Sequence, residues 1–553
     1  MSIRIKEEAE AVFDILIRDA WIADGTGCPI YPGSVGVSGG KVSYIGPGQD
    51  LKGEKTIDAG KRFVAAPGFI DTHCHEDFYL FHDSAVAPKL RQGVTTIING
   101  NCGCSAAPVR ESTFQTLRAY FNSSLHGIRM PDDWNTFTTF EAYLSAVRDR
   151  KPGINAGFLV GHGTVRIAAM GFANRKADEK ELLSMERMVE EAMESGALGM
   201  SSGLIYAPGA YASNDEILRL CRIVKKYEGV YATHMKNEGK LLVESVKESI
   251  DAARKTGVKL LISHLKVSGF ENRALLEPAL SLIEEARAEG LCVAMDQYPY
   301  NSGCTGLDAL LPPEYLEGGI EEMLLKLTDP NEQILIRQKI LDPASDWENI
   351  ILDSGFDNIV ILSAENSEGA AGKTIREYAD ARGKDPMDTF FDLLIKSGGH
   401  ARCAMYYAEE ESVEKIFRHP LTMIGSDSEL LGEKLLIHPR GYGAYPKILG
   451  RLIREKQIMP LEQAVNKMTA RPAKFFSIRN KGLLRQGYDA DLVLFDPDTV
   501  LDTATFIDPW GANHGIAAVI LNGCIAVENN RLLNAACGQV ITNDQPPARS
   551  ISI

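Results

Sequence analysis

The stretch Gly68-Phe69-Ile70-Asp71-Thr72-His73-Cys74-His75 joins a short apolar run to side chains that can ligate a metal. It opens a series of similar runs: Gly68–Thr72, Val94–Asn99, Ala156–Gly161, Ala197–Ser201, Val230–Thr233, Lys259–Ser263, Cys292–Gln297 and Leu421–Ser426. Each has the length of a buried strand. Helical patterns lie between several of them. One is Lys180–Glu194, apolar at Leu182, Leu183, Met185, Met188, Val189 and Ala192; another is Leu242–Lys255. Strands alternating with helices predict a parallel sheet, and eight such units predict a (β/α)8 TIM barrel.

The gap before the last run is too long for one crossover. An insertion is expected at about 305–415, with an extra strand at Ile359–Leu362. Strand-like runs separated by Gly-rich turns fill Phe13–Ala66 and return at Ala490–Phe495 and Ala517–Gly523. Both ends are therefore expected to form one small β-sandwich domain, 1–65 plus 480–553, beside a barrel spanning 66–479.

Among the 553 residues, 44% are hydrophobic and 24% charged, which excludes a disordered chain. Lys and Arg number 59 against 74 Asp and Glu, a net charge of −15 that disfavours nucleic acid and anionic membrane surfaces. No apolar run reaches the roughly 18–20 residues of a membrane span. Met1–Glu10 is charged and mixed, without the apolar segment of a secretory signal. Ten cysteines are too dilute for a disulfide scaffold, so reduced thiols in a cytoplasmic protein are expected. Nothing in the sequence sets an oligomeric state.

In such a barrel the chemistry belongs at the C-terminal ends of the strands. There the sequence places His73 and His75, Cys102, His234, His264 and Asp427. His73 and His75 are two residues apart, so on extended chain both imidazoles share one side, and Cys74 faces away. Imidazole, thiolate and carboxylate together select a borderline-soft divalent ion, Zn²⁺ before others. Cys104 shares the strand parity of Cys102 and competes for the thiolate role. Lys266 lies two residues beyond His264 and faces the same way if the strand continues. His162 reads equally as a structural residue or a substrate contact. His438 and Arg440 read as loop-shaping residues.

These residues resemble the amidohydrolase superfamily, and within it the D-aminoacylase (N-acyl-D-amino-acid deacylase) family. The resemblance is carried by Gly100-Asn101-Cys102-Gly103, Ser201 to Gly209, His234-Met235-Lys236-Asn237-Glu238, Asp296 to Tyr300 and His438 to Gly443, and extends over nearly the whole chain. The fourth run has no lysine or glutamate, which argues against the alternative of a cyclic-amide hydrolase of the hydantoinase or dihydroorotase type. Ser428-Glu429 departs from the family pattern. The resemblance implies zinc-dependent hydrolysis of a small-molecule N-acyl-D-amino acid. Cys102, His234 and His264 would hold one tight zinc, and His73, His75 and Asp427 would surround a second, weaker position. Asp427 would serve as general acid–base. Lys266 and Tyr206 would lie near the substrate carboxylate, with Tyr298 a further substrate-binding residue.

Overall fold

The computed structural model describes residues 12–48, 50–82, 86–124, 130–430 and 436–543. Met1–Glu10 lies outside the described residues.

All eight runs are strands of one parallel sheet: Phe69–Asp71, Val94–Asn99, Asn155–Gly161, Gly199–Gly203, Val230–His234, Lys259–Ile262, Val293–Gln297 and Thr422–Ile424, in that order across the sheet. The sheet closes. Thr72 N donates to Ile424 O at 3.1 Å, and His75 N donates to Ser428 O at 2.9 Å. Cys74 and Ser428 form a parallel bridge across the same seam. Ile70, Ile98, Leu159, Leu261, Ala294 and Met423 fill the interior in one apolar cluster. That is the packed centre expected of a barrel rather than a pore.

The crossover helices form where the pattern places them. Glu179–Glu194 starts at a capping box, in which the Asp178 carboxylate accepts from Glu181 N and the Glu181 side chain accepts from Asp178 N. Its inward face is Met185, Met188, Val189, Ala192 and Met193, whereas Leu183 is 42% exposed. Leu242–Thr256 ends at Gly257, whose φ of 74° suits a left-handed C-cap.

Strands from both ends of the chain share a nine-stranded sheet, because Leu492–Phe495 pairs antiparallel with Val64–Pro67. The sheet curls on itself. Gly40 O accepts from Ala490 N at 2.9 Å, and Lys41 bridges to Asp489. Ile15, Ile17, Val35, Val37, Leu492 and Ile520 are buried between its faces as a small β-sandwich.

Between the seventh and eighth barrel strands stands a three-stranded antiparallel sheet of Ser302–Gly306, Arg402–Tyr406 and Ile359–Ser363, in that order. With helices Ile320–Thr328, Pro330–Ile340 and Pro386–Lys396 it has its own apolar core, which includes Leu310, Met323 and Phe390. The strand at Ile359 was expected. The other two strands of its sheet were not; Ser302-Gly303-Cys304-Thr305-Gly306 lacks an apolar alternation. Among the described residues no helix is long and apolar enough to cross a membrane.

Candidate metal centre

Three of the donor residues turn the chain sharply as it leaves a strand. Cys102 (φ 50°), His264 (φ 35°) and Asp427 (φ 52°) all take left-handed backbone, which is uncommon outside glycine and concentrates at functional sites. The turn at Cys102 sits hard against the end of the fourth barrel strand. A Cβ on Gly203 would lie 2.2 Å from Cys102 O, so only glycine allows that approach.

The donors converge. Cys102 Sγ lies 3.3 Å from His73 Nε2, 3.4 Å from His264 Nε2 and 3.8 Å from His234 Nδ1. Asp427 Oδ1 lies 3.2 Å from His75 Nε2 and 3.4 Å from His73 Nε2. Two groups result: His73, His75, Cys102 and Asp427, and then Cys102, His234 and His264, each with its ligand atoms within 4.8 Å of one another. All six residues are buried.

Their protonation states suit a cation. Burial, assisted by nearby Lys266, holds His264 well below the usual imidazole range; His234 is likewise driven well below it, chiefly by burial. Neutral imidazole is the ligating form. Burial pushes the Cys102 thiol well up, with Asp427 adding to the effect, so its thiolate needs a positive charge beside it. For Asp427, burial works to raise the carboxyl, but Arg440, His264, His75 and His73 outweigh it and hold the group well below the usual range.

Cys104 does not join the donors. Because the chain turns at Cys102, strand parity fails, and Cys104 Sγ lies 3.0 Å from the Tyr120 hydroxyl. The sixth barrel strand stops at Ile262, so parity does not govern Lys266 either. The turn nevertheless brings Lys266 Nζ to 2.8 Å from His264 Nδ1 and 2.6 Å from Glu238 Oε2. Tyr206 packs on His234, with ring centroids 5.1 Å apart, and its hydroxyl accepts from Thr305 Oγ1 at 3.4 Å. Tyr298 is fully buried, its ring centroid 5.1 Å from the Arg440 guanidinium.

Sequence reasoning missed several residues here. Arg440 is not merely loop-shaping, since its Nη1 lies 2.6 Å from Asp427 Oδ2. Glu238 was visible only as part of a motif. It stands 3.1 Å from His264 Nδ1 and 3.4 Å from His234 Nε2, four residues after the second of these. Glu348 reaches in from the inserted layer and accepts from Glu238 N at 2.9 Å. Glu429, the departure noted in the sequence, is ion-paired to buried Arg402. His162 Nε2 donates to Glu216 Oε1 at 2.7 Å in a fully buried cluster with Arg166. His438 contacts Ser302 O at 3.0 Å and fastens the first strand of the inserted layer.

Comparison with known proteins fits this geometry. A family described as "Amidohydrolase family" matches residues 352–527. A D-aminoacylase of Alcaligenes xylosoxydans xylosoxydans is 34% identical over 96% of this chain and 97% of its own length. The chain belongs to the D-aminoacylase family of the amidohydrolase superfamily. Two solved structures of D-aminoacylase family proteins extend the likeness. One is an N-acyl-D-glutamate deacylase from Bordetella bronchiseptica complexed with zinc and a phosphonate inhibitor, with 31% identity, a TM-score of 0.80, and 96% of this chain and 100% of that one covered. The other is a D-aminoacylase with a binuclear metal center, with 32% identity, a TM-score of 0.79 and the same coverage. The donors found here match a binuclear zinc centre with Cys102 common to both positions. As in the sequence reading, the fourth barrel strand of this D-aminoacylase family member offers serines and no lysine.

Proposed function

We propose that this protein hydrolyses N-acyl-D-amino acids to a carboxylate and a free D-amino acid. One observation carries the reading: a single thiolate, Cys102, lies between two sets of buried imidazoles, with a carboxylate on one side. That thiolate-centred set distinguishes this reading from a cyclic-amide hydrolase.

In the proposed assignment Cys102, His234 and His264 hold the tighter zinc, and His73, His75 and Asp427 surround the weaker position. When bound, zinc supplies Lewis acidity, bringing the pKa of water from 15.7 toward about 7 and polarising an amide oxygen. Asp427 is kept ionised by Arg440, so it is ready to take a proton from the attacking water. It then returns that proton to the departing amine nitrogen, which cannot leave as an anion. Lys266 is positioned for the α-carboxylate of the substrate, with Tyr298 alongside and Tyr206 against His234. Glu238 orients His264 through its second ring nitrogen, as outer carboxylates do at zinc sites. The same reading divides the chain into the β domain of 1–65 plus 480–553 and the catalytic barrel of 66–479, and places the protein in the cytoplasm.

The test is amine release from a panel of N-acetyl-D- and N-acetyl-L-amino acids, with hydantoin as the rival substrate. Turnover of the D-series alone is expected. Asp427→Ala should abolish it while the tight zinc stays bound; wild-type turnover in that variant would remove Asp427 from the chemistry.

A further inference from the structure

Lys89 sits on the short helix Ala87–Leu90, ahead of the second barrel strand, and is fully buried. A buried ammonium is costly unless its charge and its three donor hydrogens are all satisfied. Its Nζ donates to Asp71 Oδ2 at 2.6 Å, to Ser426 Oγ at 2.8 Å and to Ser428 Oγ. Glu76 Oε1 stands 3.7 Å away as a second acidic neighbour. Burial works to lower the lysine pKa, but Asp71, Glu76 and Cys74 outweigh it and hold the group above the usual lysine range. Lys89 is therefore a fixed cation.

Its partners are not the six metal donors but the residues beside three of them. Asp71 lies two residues before His73, and Glu76 directly follows His75. Ser426 and Ser428 are the two neighbours of Asp427. Asp71 and Glu76 belong to the end of barrel strand one, and the serines to the end of strand eight. The ammonium thus spans the seam at which the barrel closes. Cys102, His234 and His264 come from strands two, five and six, away from that seam.

The same groups also bond to one another. Asp71 Oδ1 accepts from Ser426 N at 2.8 Å and from His73 N at 3.3 Å. Ser426 Oγ donates to Asp71 Oδ2, and Ser428 Oγ to Glu76 Oε1, each at 2.6 Å. Asp427 N donates to His73 O at 2.7 Å. Between the two serines Asp427 takes left-handed backbone, a conformation that its surroundings must hold. Ser428 is also where the chain departs from the family pattern, and its hydroxyl links Lys89 to Glu76.

We propose that Lys89 is a positioning residue: by fixing Asp71, Glu76, Ser426 and Ser428 it holds His73, His75 and Asp427 in the geometry that the weaker metal position and the proton transfer require. It acts through these neighbours and touches neither substrate nor reacting atoms. The inference rests on the deacylase reading, with its two metal positions, and deepens it.

The experiment strips zinc from the full-length protein and restores it stepwise against a chelator, so that the two affinities are read separately. Lys89→Met is expected to weaken the second zinc about tenfold, the lower end for loss of an outer-shell partner, and to leave the first within about twofold. Ser428→Ala strands no charge, and should weaken the second zinc about threefold, the scale of one lost hydrogen bond. With only the tight zinc bound, kcat for N-acetyl-D-leucine should fall about tenfold in Lys89→Met, with KM within about twofold, because Asp427 shifts and the carboxylate contacts do not. Equal weakening at both positions overturns the proposal, since Lys89 would then serve the fold at large. An unchanged second affinity in the folded variants overturns it too; if Lys89→Met does not fold, Ser428→Ala alone decides. So does a raised KM at unchanged kcat, or a wild type that takes up one zinc only. The zinc titration needs no substrate, so absence of turnover on every N-acyl-D-amino acid would sink the deacylase reading separately.

Discussion

Arg440 Nη1 stands 2.6 Å from Asp427 Oδ2, while Asp427 Oδ1 faces His75 and His73 at 3.2 and 3.4 Å. The carboxylate is therefore shared between a permanent cation and the imidazoles of the metal site. Arg440→Met should let burial raise the Asp427 pKa. The acid limb of the kcat profile then moves to higher pH, and thermal or urea unfolding shows a loss of about 3–5 kcal/mol from the stranded buried charge. An unmoved acid limb would mean that another group titrates there.

Glu238 touches His264, His234 and Lys266 together. Glu238→Gln keeps the shape and removes the charge. Zinc affinity, measured by competition with a chelator, should fall about 10–100-fold, the usual cost of losing an outer-shell carboxylate. Unchanged affinity would show that His264 needs no such support.

Arg402 is 2% exposed and neutralised by Glu429, beside Cys304 at the edge of the metal pocket. Releasing this cation should favour an acidic substrate side chain. Glu429→Gln is expected to raise kcat/KM for N-acetyl-D-glutamate relative to N-acetyl-D-leucine by about tenfold, equivalent to ~1.4 kcal/mol. It should also lower the melting temperature, because Arg402 loses its buried partner. An unchanged preference would place Arg402 outside the substrate's reach.

Asp353 belongs to the inserted layer and accepts from Asn272 Nδ2 at 3.0 Å. Burial is the main influence and pushes its carboxyl up to about 6, against the opposing effects of Asn272 and Lys240. A folded-state pKa above the unfolded value of about 3.9 means that the folded chain holds the extra proton between those limits. Its contribution to stability is therefore complete below about pH 4 and is lost as pH rises through about 6, with a slope of at most about 1.4 kcal/mol per unit. Asp353→Asn should remove that part of the decline in urea unfolding free energy across this window. An unaltered slope would assign the decline to other carboxyls.

The eight barrel strands were legible because each is an apolar run bounded by turn residues, a pattern that burial on both faces imposes locally. His73 and His75 were legible for a similar reason, since extended chain fixes their relative direction. Parity misled where it assumed a strand beyond its end. At Cys102 and His264 the backbone turns left-handed, which sends Cys104 away to Tyr120 and brings Lys266 back onto His264. Arg440, Glu238 and Glu348 carried no periodic signal, because their contacts are with residues distant in sequence or on other elements.

The order of the strands, the crossover helices and the identities of the six donors were written in the chain itself, since local periodicity and residue chemistry follow from sequence alone. The tertiary structure alone decided which carboxylates and cations neutralise one another around those donors, and that Lys89 joins both sides of the barrel seam. These pairings depend on barrel closure, Thr72 against Ile424, and on the inserted layer resting over the barrel mouth. They arise from surfaces brought together in space, and no window of sequence contains both sides.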